Sequence, residues 1–152
     1  MDAEKCTGNY HPRWFGLAVQ ALIILSKENI QTCPSVEIAS YLQSEPTLLR
    51  RVLAVLAREG FLETREGRDG GYRLQKNPES ITLADVYDAF QVGGPLCFGI
   101  KEATGSHPFG VEMKAAFSDI TDEMDRSMRE VLSRYTIADL AERLHAKVVD
   151  SK

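Results

Sequence analysis

At 152 residues, with 43% hydrophobic and 26% charged residues, the chain has the composition of one soluble globular domain with room for a core. Its longest apolar run, Leu17 to Leu25, is interrupted by Gln20 and too short to span a bilayer, and three scattered cysteines, Cys6, Cys33 and Cys97, exclude a disulfide framework. No signal peptide is expected, no membrane partner, and a reducing cytoplasm as the compartment.

Residues 1–12 are polar. A helix is predicted from Pro12 or Arg13 to Ser26. Trp14, Phe15, Leu17, Ala18, Val19, Ala21, Leu22, Ile23, Ile24 and Leu25 leave it no polar face, so it must be covered on several sides, by its own domain and by a second chain or a C-terminal helix. Pro34-Ser35 opens the next helix, with Ser35 as the expected N-cap, Glu37 in the first turn and Ile38, Ala39 and Leu42 as the inner stripe. A turn of about four residues leads to a helix from Pro46 to Glu59. There Leu49, Val52, Leu53 and Leu56 recur at helical spacing, while Thr47, Arg50, Arg51, Ala54 and Arg58 share the opposite face. Pro46 suits the first turn and Gly60 a left-handed C-terminal cap.

After Gly60 the period falls from 3.6 to 2. Leu62 and Thr64 alternate with Glu63 and Arg65, Tyr72 and Leu74 flank Arg73, and Glu66-Gly67-Arg68-Asp69-Gly70-Gly71 supplies the turn. A basic-faced helix followed at once by a glycine-rich hairpin is the helix-plus-wing half of a winged helix-turn-helix. A helix about 10–12 Å across fits the major groove, and its arginines can contact phosphates or guanine edges. The net charge of −4 has the wrong sign for such a role, but it is unevenly placed. Residues 45–76 hold seven basic and five acidic groups, and residues 77–152 hold eight and thirteen.

Thr82-Leu83-Ala84-Asp85 is a Thr-x-x-Asp variant of the capping box and opens a short helix to about Phe90. Residues 91–110, with five glycines and two prolines, read as a long loop. A long helix follows from Val111 to Tyr135. Phe117, Ile120, Met124, Met128, Val131 and Tyr135 form a stripe with an 11-residue repeat, suited to a nearly straight pairing of two such helices. Thr136-Ile137-Ala138-Asp139 is a second capping box, opening a last amphipathic helix through Leu140 and Leu144. The expected fold is mainly α with a small β-hairpin wing. It divides into a winged helix-turn-helix (12–90), a sensor or linker loop (91–110) and a dimerisation helix with a C-terminal helix (111–148).

The run LLRRVLAVLAREGFLETREGRDGGYRLQKNPESITLADVYDAF resembles the Rrf-two family of bacterial winged-helix regulators. Glu37-Ile38-Ala39 upstream and Thr136-Ile137-Ala138-Asp139-Leu140 downstream extend the resemblance over most of residues 14–144. It implies a homodimer with one winged helix per chain, long helices crossing between subunits, and roughly palindromic sites on double-stranded DNA. By position, Glu45, Thr47, Arg50 and Arg51 match the family's DNA-reading residues. Glu66 stands where the family often has arginine before the first wing glycine, with Arg65 and Arg68 beside it. Cluster-binding members carry three closely spaced cysteines before the long helix, where this chain has only Cys97, so no iron–sulfur cluster is expected.

The resulting expectation is a sequence-specific transcriptional regulator, a repressor, binding DNA through Glu45, Thr47, Arg50, Arg51, Arg58, Arg65, Arg68 and Arg73. Cys97, or else Cys33, is the candidate redox sensor. The alternatives are a small-molecule or protein effector, or a winged helix used as a protein-binding module. No enzyme is expected: Cys97 and His107 could form a thiol–imidazole pair, but no third group accompanies them. The histidines show no metal-ligand spacing and read as surface or capping residues.

Overall fold

The computed structural model describes residues 12–90 and 95–150, with the side chains of 95–98 and 146–150 outside the description. Helix α1 (Pro12–Leu25) is the centre of the core. Its apolar circumference is explained by its neighbours: α2 (Ser35–Leu42), α3 (Pro46–Arg58), strand β2 (Gly71–Leu74), α4 (Leu83–Phe90) and α7 (Ile137–Asp150) all touch it. The C-terminal helix is thus one of the expected covers. It packs against α1, the centre of the core.

In α3 the predicted stripe is the buried one: Leu49, Val52, Leu53 and Leu56 are fully buried, and Val55 joins them. Gly60, at φ +84°, closes the helix. Its N–H bonds to the Ala57 carbonyl and the Phe61 N–H to the Leu56 carbonyl, the double bond of a left-handed cap. Ser35 is not the cap of α2. Pro34 occupies that position without a side-chain hydrogen bond, and Ser35 is the first helical residue. Proline before it already fixes an extended entry.

Strand β1 (Leu62–Arg65) pairs antiparallel with β2, Leu62 opposite Leu74 and Arg65 opposite Gly71. The wing has an added rung: Cys33 and Tyr72 exchange both backbone hydrogen bonds at 2.9 Å. Gly71 makes this possible. It sits at φ +147°, and a Cβ there would lie 2.5 Å from the Cys33 carbonyl oxygen.

The expected 91–110 loop contains α5 (Pro95–Glu102), which packs against α6 (Pro108–Leu132). Glycine weakens a helix by only about 1 kcal/mol relative to alanine. Pro95 is favourable in the first turn, and packing on α6 supplies the remainder. Residues 91–94, in the same stretch, lie outside the described residues. The long helix begins at Pro108 rather than Val111 because His107 caps it, Nδ1 accepting from the Phe109 N–H at 3.2 Å. It ends at Leu132, leaving Tyr135 beyond it.

The two capping boxes form as read. Thr82 and Asp85 exchange hydrogen bonds of 3.0 and 3.1 Å, and Thr136 and Asp139 two of 3.0 Å. They are also clasped together. Leu83 N–H donates to the Tyr135 carbonyl and Ile137 N–H to the Ile81 carbonyl, both at 2.9 Å, over fully buried Ile81 and Ile137. Among the described residues no helix is long and apolar enough to cross a membrane.

Candidate nucleic-acid interface

The turn between α2 and α3 aims the interface. α2 ends on Gln43, which adopts the left-handed conformation at φ 51° although it is not glycine. The Gln43 N–H then donates to the Ser40 carbonyl at 3.2 Å and the Ser44 N–H to the Ala39 carbonyl at 3.0 Å. Glu45 takes the N-cap position of α3 in extended geometry, and its carboxylate does not cap the helix. Pro46 follows in the first turn, as expected.

This places Glu45, Thr47, Arg50, Arg51, Ala54 and Arg58 on the exposed side of α3. The burial of the apolar stripe forces that display, because residues on the opposite face of a helix cannot also face inward. Arg50, Arg51, Arg65 and Arg68 are exposed, and none forms a salt bridge among the described residues. Arg73 differs: its Nε lies 3.1 Å from Glu63, its cross-strand partner. Arg58 lies 3.6 Å from Glu59. The hairpin carries Arg65, Glu66 and Arg68 on its exposed tip, immediately after α3 in sequence.

Lys76 lies outside the residues that the sequence marks for DNA. Its ammonium sits 4.4 Å over the Phe61 ring, just past the wing, adding a cation held by an aromatic face. Only its place in the basic segment signalled it. Cys33, the alternative redox candidate, lies in the core behind the wing. It is 3% exposed, its backbone is committed to the wing, and burial, reinforced by Glu37, pushes its thiol up to about 11. Burial of this kind disfavours the reactive thiolate. Cys97 lies on α5, with its side chain outside the described residues. The His107 ring is engaged as the α6 cap.

Along α6 the stripe points away from its own chain. Ile120, Met124, Met128 and Val131 are 43–51% exposed, Tyr135 beyond the helix is exposed as well, and Phe117 is half-buried. An intramolecular core helix would show the opposite pattern.

A family model described as Rrf2, iron-dependent transcriptional regulator, matches residues 13–143. The chain belongs to the Rrf2 family. Among relatives of this regulator, the protein named HTH-type transcriptional regulator YffB of Lactococcus lactis is 27% identical over 129 residues, 82% of each chain. A solved transcriptional regulator of Lactobacillus plantarum superposes with a TM-score of 0.76 at 24% identity, over 93% of this chain and 100% of that one. The oxidized form of Staphylococcus aureus CymR shares the fold with a TM-score of 0.62 at 21% identity, over 85% of this chain and 93% of its own. The mainly helical winged-helix fold with its two-stranded hairpin is that of these neighbours.

Among the described residues no three His, Cys, Asp or Glu side chains converge as metal ligands. Cys33 is locked behind the wing, and residues 91–110 contain the single cysteine Cys97. Three thiolates from one loop are not available.

Proposed function

We propose that this Rrf2 regulator represses transcription as a homodimer, each α3 entering the major groove of one half of a roughly palindromic operator. One observation carries this reading. The exposed face of α3 bears Arg50 and Arg51 without carboxylate partners among the described residues, beside a wing tip bearing Arg65 and Arg68 in the same state. Glu45, Thr47, Arg50 and Arg51 read bases from the start of the helix, while Arg58, Arg65 and Arg68 meet phosphates. Arg73 contributes least, being held by Glu63. Phe117, Ile120, Met124, Met128, Val131 and Tyr135 form the seam between copies, which supplies the two half-site geometry. No iron–sulfur cluster takes part, because the chain lacks three neighbouring thiolates.

Selection of bound duplexes from a random pool, followed by salt titration, tests the DNA reading. Arg50→Ala should cost about 1–3 kcal/mol on the selected site and relax preference at one position. Equal losses on specific and random DNA would remove base readout by Arg50. Protein purified anaerobically from iron-replete cells should be colourless and bind DNA without added iron; stoichiometric iron and sulfide would overturn the cluster-free reading.

A second reading concerns the signal. α5, which bears Cys97, packs on α6, so modification of that thiol would act beside the proposed dimer seam. Peroxide or a disulfide reagent should shift operator binding in wild type and not in Cys97→Ser. No shift in wild type would remove the thiol signal and leave the DNA reading standing.

A further inference from the structure

Two junctions hold α6 to the winged-helix body. The first is the clasp of Ile81–Leu83 with Tyr135–Ile137 at the foot of the helix. The second lies higher, where α4 and α6 meet through polar groups. The Tyr87 hydroxyl donates to Asp125 Oδ1 at 3.1 Å, and Arg129 Nε donates to Asp125 Oδ2 at 2.8 Å. Arg129 also pairs with Asp88 and lies 5.4 Å from the centre of the Tyr87 ring. Tyr87 is itself fixed: it is 6% exposed and packs edge-on against Phe15 of α1 at 6.2 Å.

These contacts differ in kind from an apolar seam. Methyl groups slide past one another at little cost, whereas a carboxylate accepting one hydrogen bond on each oxygen tolerates little change of angle. The clasp is a pivot, and the four-residue cluster fixes the tilt about it. A tilt of roughly 10° would displace the far end of a helix about 37 Å long by about 6 Å. That approaches two base-pair steps of about 3.4 Å each.

We propose that Tyr87, Asp88, Asp125 and Arg129 are positioning residues that set the separation of the two recognition helices, and so determine which operator half-site spacing the regulator accepts. The proposal rests on the homodimer reading above. None of the four residues lies on the DNA-facing side of α3 or in the α6 stripe, so their effect on spacing passes through geometry alone.

The experiment uses the full chain with Tyr87→Phe, Arg129→Gln and Arg129→Lys, together with the milder Asp88→Asn at a half-exposed position. Affinity is measured on palindromes carrying the selected half-sites at the selected spacing, one base pair shorter, and one and two longer. Affinity for a lone half-site, sedimentation and thermal melting are measured in parallel. Wild type should prefer one spacing by about tenfold or more. The Tyr87→Phe and Arg129→Gln variants should remain folded dimers with lone half-site affinity within about twofold of wild type, yet spread their preference to within about threefold across spacings. Arg129→Lys, keeping the charge but losing the bidentate fork, should fall between. Equal weakening at every spacing, or an unchanged preference in both Tyr87→Phe and Asp88→Asn, would overturn the proposal. A monomeric wild type would instead overturn the homodimer reading, and the proposal with it.

Discussion

In α3 the leucines and valines point inward and the arginines face water, while in α6 the arrangement is reversed. There Thr121, Asp125 and Arg129 turn toward the body, and Ile120, Met124, Met128 and Val131 face out. Both helices are amphipathic, and both obey the same preference for burying apolar surface. The difference shows that α3 finds its cover within the chain, whereas α6 meets its own chain through polar contacts and leaves its apolar stripe exposed. Polar contacts suit alignment because they are directional.

The largest test of that contrast is to charge the outward face. Met124→Glu combined with Met128→Glu should convert a dimer to a monomer in sedimentation, with the chain still folded, because neither side chain supports its own domain. Operator affinity should fall by about 10²- to 10⁴-fold as the two half-sites cease to act together. A wild-type chain already monomeric at micromolar concentration would refute the seam.

The inward face should respond in the opposite way. Leu53→Ala empties a fully buried position and should cost about 3 kcal/mol in denaturant unfolding. Met124→Ala, measured on a Met128→Glu background that sedimentation shows to be monomeric, should leave unfolding stability nearly unchanged. Similar losses from both would erase the distinction between the helices.

Alkaline titration probes the body and the α4–α6 junction separately. Burial raises Cys33 from 9.0 to about 11, and burial with Asp125 raises Tyr87 from 10.0 to about 12. The folded chain therefore keeps protons that the unfolded chain has already lost. Unfolding releases them, so stability should fall as pH rises from about 9 to about 12. Cys33→Ala should flatten the lower part of that decline and Tyr87→Phe the upper part, as read by melting temperature across the range.

The smallest expected effect lies at the turn that aims α3. A left-handed residue with a side chain is strained by about 1 kcal/mol, part of which glycine relieves at the expense of unfolded-state entropy. Gln43→Gly should therefore raise stability by about 0.5 kcal/mol, measured by the shift in denaturant midpoint. A loss instead would show that the Gln43 side chain is itself used.

The sequence made the local devices visible: the period of Leu49, Val52, Leu53 and Leu56, the wing glycines, and both Thr-x-x-Asp boxes. Each is specified by neighbours a few residues away. The features missed are those that need a distant partner. Cys33 gives no strand signal by itself, because its single rung depends on Tyr72 and on Gly71 making room. Asp125 and Arg129 look like ordinary surface charge until Tyr87 and Asp88 are placed against them. The α5 helix was hidden by its glycines and is supported by packing on α6. In the candidate site, the exposed arginines of α3 were legible, but the engagement of Arg73 by Glu63 depends on strand register.

The clasp of the two capping boxes has a topological consequence. Helices α4 and α7 begin at one shared point, so after α4 has packed on α1 the chain makes an excursion through α5 and α6 and returns to where α4 began. The entropy of closing that circuit grows only slowly with its length, roughly 0.6 kcal/mol per doubling. The arm formed by α5 and α6 can therefore gain or lose whole helical turns at its far end while both attachment points stay fixed. Reach and DNA reading are separable parts of the chain, and one can be rebuilt without refolding the other.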